Sequence, residues 1–392
     1  MQTALSFEGE AVHEPRGILQ VHPTLRCNLL CRHCYSNSGP AAGLHLENEV
    51  LLDAVEDAAS LGYEVLSVSG GEPFLYEGLT ALLERAKDLG MFTQITTNGT
   101  LLTEERCRAM RENLDLMAVS LDGPSELHNE IRGSDHAFDR LADGLGVAKL
   151  VGLPFGIIHT LTRRSWPHLL WIAEFADRQG ASLLQIHPLE HVGRAASHML
   201  QDSLGEDDLL RSYLISLALS AKYEGAMAIQ FDAVERAEFL RNTEWAYVSP
   251  WGIPQTLAAG PDSVRILVVE ADGAVVPLSY GMSREFEICD LKRENLKAAW
   301  PLFMHHRYGR LRKLCREVYD EVVLRADLAI LNWHEMLVAK SHEVNSESYR
   351  AQGRRKRELV EGPAAKVVML PPLAFGGERA VHVESKSRGL AG

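Results

Sequence analysis

Apolar and polar positions in the first half of the chain alternate between two periods. Short apolar runs at 18–24, 64–69, 92–97, 116–121, 155–161 and 183–187 read as strands. Between them the period lengthens. Val50, Leu51, Ala54 and Ala58 share one helical face within 47–61, and similar spacing predicts helices over 77–89, 104–110, 138–150 and 168–178. Repeated strand–helix units of this length predict an α/β fold with a parallel sheet and right-handed crossovers. Sheets of this kind carry their active sites at the C-terminal ends of the strands.

The polar residues follow that rule. The second strand ends in Ser69-Gly70-Gly71-Glu72-Pro73, the third in Thr96-Thr97-Asn98-Gly99 and the fourth in Ser120-Leu121-Asp122-Gly123-Pro124. A lone Gly-Gly or Asn-Gly marks only a turn; three such clusters in consecutive units converge on one rim. The first strand delivers a cysteine loop to the same rim, with Cys27, Cys31 and Cys34 in a Cys-x3-Cys-x2-Cys spacing. One short loop can then wrap three corners of a cubane iron–sulfur cluster, while the fourth iron has no protein ligand. Such clusters normally take four thiolates, so another ligand is implied there. Zinc closes a tetrahedron of four ligands, and no second Cys or His pair completes the half that Cys31 and Cys34 could supply. A disulfide framework needs an extracellular address, which the chain does not display.

These motifs resemble the signature of the radical S-adenosylmethionine (SAM) superfamily, over about residues 18–194. The resemblance implies one [4Fe-4S] cluster on Cys27, Cys31 and Cys34, with SAM on the open iron through its amino and carboxylate groups. Gly70, Gly71, Glu72 and Pro73 match the segment that holds the SAM amino group: glycines admit close backbone approach, and a carboxylate suits an ammonium. Asn98, Ser120 and Asp122 match positions facing the ribose and the methionine carboxylate; His33 fills the aromatic place before the third cysteine, and Tyr35 follows it. The implied chemistry is reductive SAM cleavage to a 5′-deoxyadenosyl radical that abstracts hydrogen from a substrate, with electrons from a reductase. The cofactors carry the reaction and the protein positions them. His159, Gln185, His187 and Arg194, on the later strands, are candidates for substrate contact or for rim packing.

The stretch from Ser120 to Gly133 resembles the subgroup with a C-terminal SPASM or twitch extension. A partial (βα)6 barrel with a smaller α+β extension is therefore expected: a lead-in at 1–17, the barrel at 18–200, the extension at 201–340 and a flexible tail at 341–392. The extension departs from its subgroup. A hairpin over 264–277 turns at Ala271-Asp272-Gly273, but Leu278 stands where relatives begin an auxiliary cluster with cysteine. Cys315 is followed three residues later by Val318 rather than by a second cysteine. Of the six cysteines, the loop leaves Cys107, expected to pack in a barrel helix, together with Cys289 and Cys315. Two cannot hold a four-thiolate cluster. The expectation is a degenerate extension without metal, in which Cys289 and Cys315 are buried thiols or hydrogen-atom donors. The sharper variant completes a cluster with His305 or His306. Without an auxiliary electron acceptor, redox-neutral chemistry gains over net oxidation.

Composition narrows the partners. The 392-residue chain is 46% hydrophobic and has no apolar run near 18 residues, so no membrane span is expected. The N-terminus has no signal-like apolar stretch, which points to the cytoplasm. A formal net charge of −13 disfavours nucleic acid. The basic run Arg354-Arg355-Lys356-Arg357 lies in a segment read as solvated tail. The expected substrate is a ribosomally made peptide, because such maturases dominate the subgroup. Only a short lead-in precedes the first strand, so recognition is expected from the extension or a separate protein. The alternatives are a small molecule (sugar, aminoglycoside or tetrapyrrole) undergoing epimerisation, dehydration or decarboxylation, and a non-catalytic cluster- or SAM-binding protein.

Overall fold

A computed structural model describes residues 17–242 and 260–343, which fall in one compact unit. Strands β1 (Ile18–Val21), β2 (Val65–Val68), β3 (Phe92–Thr97), β4 (Leu116–Ser120), β5 (Phe155–Leu161) and β6 (Leu183–Pro188) stand side by side, all parallel. The expected six-strand arrangement is present. Two additions lengthen it. β7 (Ala228–Phe231) pairs parallel with β6, and β9 (Ile266–Val269) pairs parallel with β1 on the far side. β10 (Ala274–Pro277) and β11 (Cys289–Asp290) follow antiparallel, giving a ten-stranded sheet that begins at β11 and ends at β7 without closing. The hairpin is thus part of the barrel sheet. β8 (Val234–Glu235) and β12 (Ile330–Leu331) make a separate two-stranded ribbon.

Side-chain alternation decides which face becomes core. Along β3, Ile95 is buried toward the helices while Gln94 and Thr96 face inward; along β6, Leu184 and Ile186 are buried while Gln185 and His187 face inward. The helix side is a continuous apolar core, and the barrel interior is a cavity lined by both polar and apolar side chains. Helix Glu104–Met110 is capped by Thr103, whose hydroxyl accepts from Arg106 N. Helices Ala137–Val151 and Leu169–Gln179 end on glycines in the left-handed region.

The structure differs from the expected boundaries in two places. Helix Glu206–Lys222 returns the chain to β7, a seventh unit of the barrel, so position 200 lies within the sheet-forming region. That strand is only four residues long and half-buried throughout, so it carries no readable hydrophobic pattern. A final helix covers 333–343, and Ser341 within it is fully buried. The expected tail is otherwise outside the described residues, as are positions 1–16. No helix of the described residues is long and apolar enough to cross a membrane.

Candidate functional site

The cysteine loop is fastened from three directions. Cys27 N donates to Gly39 O at 3.1 Å and Arg32 N to Ile131 O at 2.8 Å. From β2, Gly71 N donates to Thr24 O and Glu72 N to Arg26 O. A Cβ on Gly71 would lie 2.1 Å from Arg26 O, so the glycine is required by the loop backbone pressed against it. Beyond β6, Gly193 adopts φ +59 and a Cβ on it would lie 2.3 Å from Tyr35 O, while Arg194 donates to Cys31 O at 2.8 Å and Ser38 O at 2.6 Å.

Each sulfur has a polar neighbour. Asn98 Nδ2 is 3.8 Å from Cys27 Sγ, Arg132 Nη1 is 3.9 Å from Cys31 Sγ, and Ser36 Oγ is 3.5 Å from Cys34 Sγ. Burial pushes the Cys27 thiol up to about 12 and raises Cys31 above its ordinary value. A bound metal ion reverses that preference by stabilising the thiolate directly. Three thiols with donors beside them, on one short loop, fit a cluster with three protein ligands.

Beneath the loop lies a buried ionic group. Asp122 is fully buried; Arg132 Nε donates to its Oδ2 at 2.6 Å and His33 Nε2 lies 3.0 Å from the same oxygen. Burial alone would raise the Asp122 carboxyl, but Arg132 and His33 outweigh it and hold it well below the ordinary range. Arg132 sits in the last turn of helix Ser125–Arg132, which ends on Gly133. Glu72 is committed elsewhere: it accepts from Thr97 Oγ1 at 2.7 Å, Asn98 N at 2.9 Å and Phe74 N at 3.3 Å, locking the end of β3.

A cavity of about 560 Å³ opens from this rim into the barrel. Cys27, Cys31, Cys34, His33, Tyr35, Gly70 and Gly71 line it, together with Asn98, Ser120 and Arg132. Further in, Gln185 and His187 from β6 meet Gln230 from β7 and Asp232 just beyond it. His187 Nδ1 is 3.1 Å from Asp232 Oδ2 and its Nε2 is 3.5 Å from Glu190 Oε1. The C-terminal region also reaches in. The segment after β10 brings Leu278, at φ +70, and Tyr280, which packs on Tyr35 and on the buried His22. The segment after β12 brings Asn332 and His334.

The structure therefore gathers most of the sequence-derived residues and leaves some aside. Glu72, Pro73, Asp122 and His159 do not line the cavity. His159 is fully buried, its ring bonded to Leu121 O and Ser165 Oγ. Cys289 and Cys315 belong to the apolar core, and neither reaches the cavity. Arg194 lines the cavity, but its guanidinium is spent on the loop. Pattern reading passes over Arg132, although it closes the Ser120–Gly133 stretch, and over Glu190, Asp232, Asn332 and His334, which carry no local motif.

Residues 21–176 match the Radical SAM superfamily, so the chain carries a radical SAM domain, the class that the open parallel sheet and its cysteine loop define. Among curated proteins, the Fe-coproporphyrin III synthase of Methanosarcina barkeri is 32% identical over 184 residues, 46% of this chain and 45% of that protein. The PqqA peptide cyclase of Granulibacter bethesdensis is 31% identical over 188 residues, 46% and 49% respectively. The chain spans about half the length of the curated relatives it matches. Streptococcus suis SuiB, solved bound to S-adenosylmethionine, superimposes with TM-score 0.59 at 17% identity, over 76% of this chain and 68% of SuiB, a likeness of fold.

Proposed function

We propose that this chain cleaves SAM reductively at one [4Fe-4S] cluster on Cys27, Cys31 and Cys34 and abstracts hydrogen from a peptide substrate in the barrel cavity, with electrons from a separate reductase. When bound, the cluster and SAM supply the carbon–sulfur cleavage and the hydrogen abstraction. The chain's own residues do the rest. Asn98, Arg132 and Ser36 beside the sulfurs tune the cluster's potential. The Ser120 hydroxyl, on the cavity, suits the methionine carboxylate.

The observation that carries the peptide reading is the state of the cavity's cations. Arg132 is paired with Asp122, and Arg194 is bonded to the carbonyls of Cys31 and Ser38. Among the described lining residues no lysine or further arginine is left to meet the several carboxylates of a tetrapyrrole. The second reading, tetrapyrrole side-chain chemistry, is favoured by the Fe-coproporphyrin III synthase relationship.

The test is anaerobic reconstitution followed by iron, sulfide and 5′-deoxyadenosine measurement, in wild type and in Cys27→Ala/Cys31→Ala/Cys34→Ala. Wild type should hold about four irons and the triple variant none, with 5′-deoxyadenosine formed only by wild type. A peptide encoded beside this chain should stimulate its formation, and coproporphyrin should not. Stimulation by coproporphyrin alone would move the assignment to the second reading. A full cluster in the triple variant would point to other ligands and an oxidative maturase.

A further inference from the structure

The wall formed by β6, β7 and residues 332–334 spends its hydrogen-bond donors inward. Gln185 Nε2 donates to Asp232 Oδ2 at 2.6 Å, and Gln230 Nε2 to Asp232 Oδ1 at 2.7 Å. Asn332 Nδ2 donates to Glu190 Oε1 at 2.9 Å, and its own carbonyl caps the following helix by accepting from Glu335 N. Both nitrogens of His187 face carboxylates. The carboxamide orientations follow from chemistry, since the reversed amides would set carbonyl oxygens against carboxylates. What remains for a ligand among these groups is three acceptors, the amide oxygens of Gln185 and Gln230 and Glu190 Oε2, beside the second N–H of each carboxamide.

A second feature is independent of the carboxylates. His334 lines the cavity and neither of its ring nitrogens is hydrogen-bonded to a described residue. Burial holds it below its ordinary value, so it enters neutral, with a lone pair available. Charge points the same way. Glu190 and Asp232 carry two negative charges against the single imidazolium of His187, and the guanidiniums of Arg132 and Arg194 are committed elsewhere. Among the described residues of the wall, one negative charge is left without an ionic partner.

We propose that this wall is a binding subsite for an alkylammonium or guanidinium group, the side chain of a basic residue in the substrate. The assignment rests on the peptide reading above and narrows it to a peptide carrying lysine, ornithine or arginine at the reacting segment. An ammonium presents three donors and a guanidinium five, against the acceptors that the wall leaves open.

Isothermal calorimetry on the full chain, without reductant, tests it with Nα-acetyl-lysine amide, Nα-acetyl-arginine amide and the uncharged Nα-acetyl-norleucine amide. At least one basic probe should bind about tenfold or more tighter than norleucine amide, which is about 1.4 kcal/mol. Glu190→Gln should reduce the preference severalfold, and raising salt should weaken it. His334→Leu serves as a second variant, removing the lone pair without touching a carboxylate; it too should lower affinity. Equal binding of norleucine amide, an unchanged preference in both variants, or no binding of either basic probe at millimolar concentration overturns the proposal. The readout needs no turnover, so it is separable from a failure to form 5′-deoxyadenosine, which would sink the proposed function instead.

Discussion

The rim around the cysteines and the wall along β6 and β7 share one cavity but are assembled differently. The rim draws on runs of adjacent residues: Cys27 to Tyr35, Ser69 to Pro73, Thr96 to Gly99, Ser120 to Arg132. Many of its contacts engage the loop backbone, as in Gly71 against Arg26 and the Arg194 guanidinium on the carbonyls of Cys31 and Ser38. The wall draws on single side chains at positions as far apart as Gln185 and Asn332, held by side-chain hydrogen bonds. A backbone-built rim tolerates little change of residue type, because glycines and loop length are fixed by close approach. A side-chain wall can be rewritten one residue at a time while the strands beneath stay unchanged.

The same difference separates what is legible in the amino-acid sequence from what is not. The loop spacing and the glycine clusters are local, so the radical SAM character, six parallel strands and the 264–277 hairpin are legible. Arg132 is within reach, since a helix ending on Gly133 places it next to Asp122. β7 is not legible, because four half-buried residues carry no period. Nor can pattern place Glu190, Asp232 or His334, which meet only after β7 and the helix at 333–343 have docked. For a related reason, no local signal reveals that the Arg194 guanidinium is used on two loop carbonyls.

The largest expected effect breaks the rim at its ionic centre. Arg132→Gln leaves Asp122 buried beside His33 alone. Losing one partner of a buried pair costs about 3–5 kcal/mol, so the urea midpoint of the chain without cluster should fall sharply. Adding Asp122→Asn should restore part of the loss, because the uncompensated charge is then gone. If Arg132→Gln costs under about 1 kcal/mol, the pair is behaving as a solvated one and the account of the rim is wrong.

Arg194→Ala sharpens the comparison by asking to which half this residue belongs. It removes charged donors from two carbonyls, each worth about 1.5–3 kcal/mol at most and less here because the residue is partly exposed. Amide exchange should quicken within the cysteine loop by roughly tenfold or more, and iron should be lost faster on dilution into chelator. Binding of basic probes at the wall should barely change. A variant with a normal loop and weakened probe binding would return Arg194 to the substrate side.

The smallest effect concerns the wall's own titration. Burial alone would lower His187, but its hydrogen bonds to Asp232 and Glu190 outweigh that and raise it to about 10. A folded-state pKa above the unfolded value of about 6.5 contributes stability that is fully present below pH 6.5 and is lost as pH rises through about 10. Asp232→Asn removes the stronger partner and should bring the imidazole back toward its ordinary range. The urea midpoint of wild type should therefore exceed that of the variant most at pH 6.5, and the gap should narrow steadily toward pH 10. Other groups that titrate over this range do so in both proteins, so the difference isolates His187. A gap that stays constant with pH would mean that the imidazole is not charged by its carboxylates, and the wall would then lack the charge pattern that sets it apart from the rim.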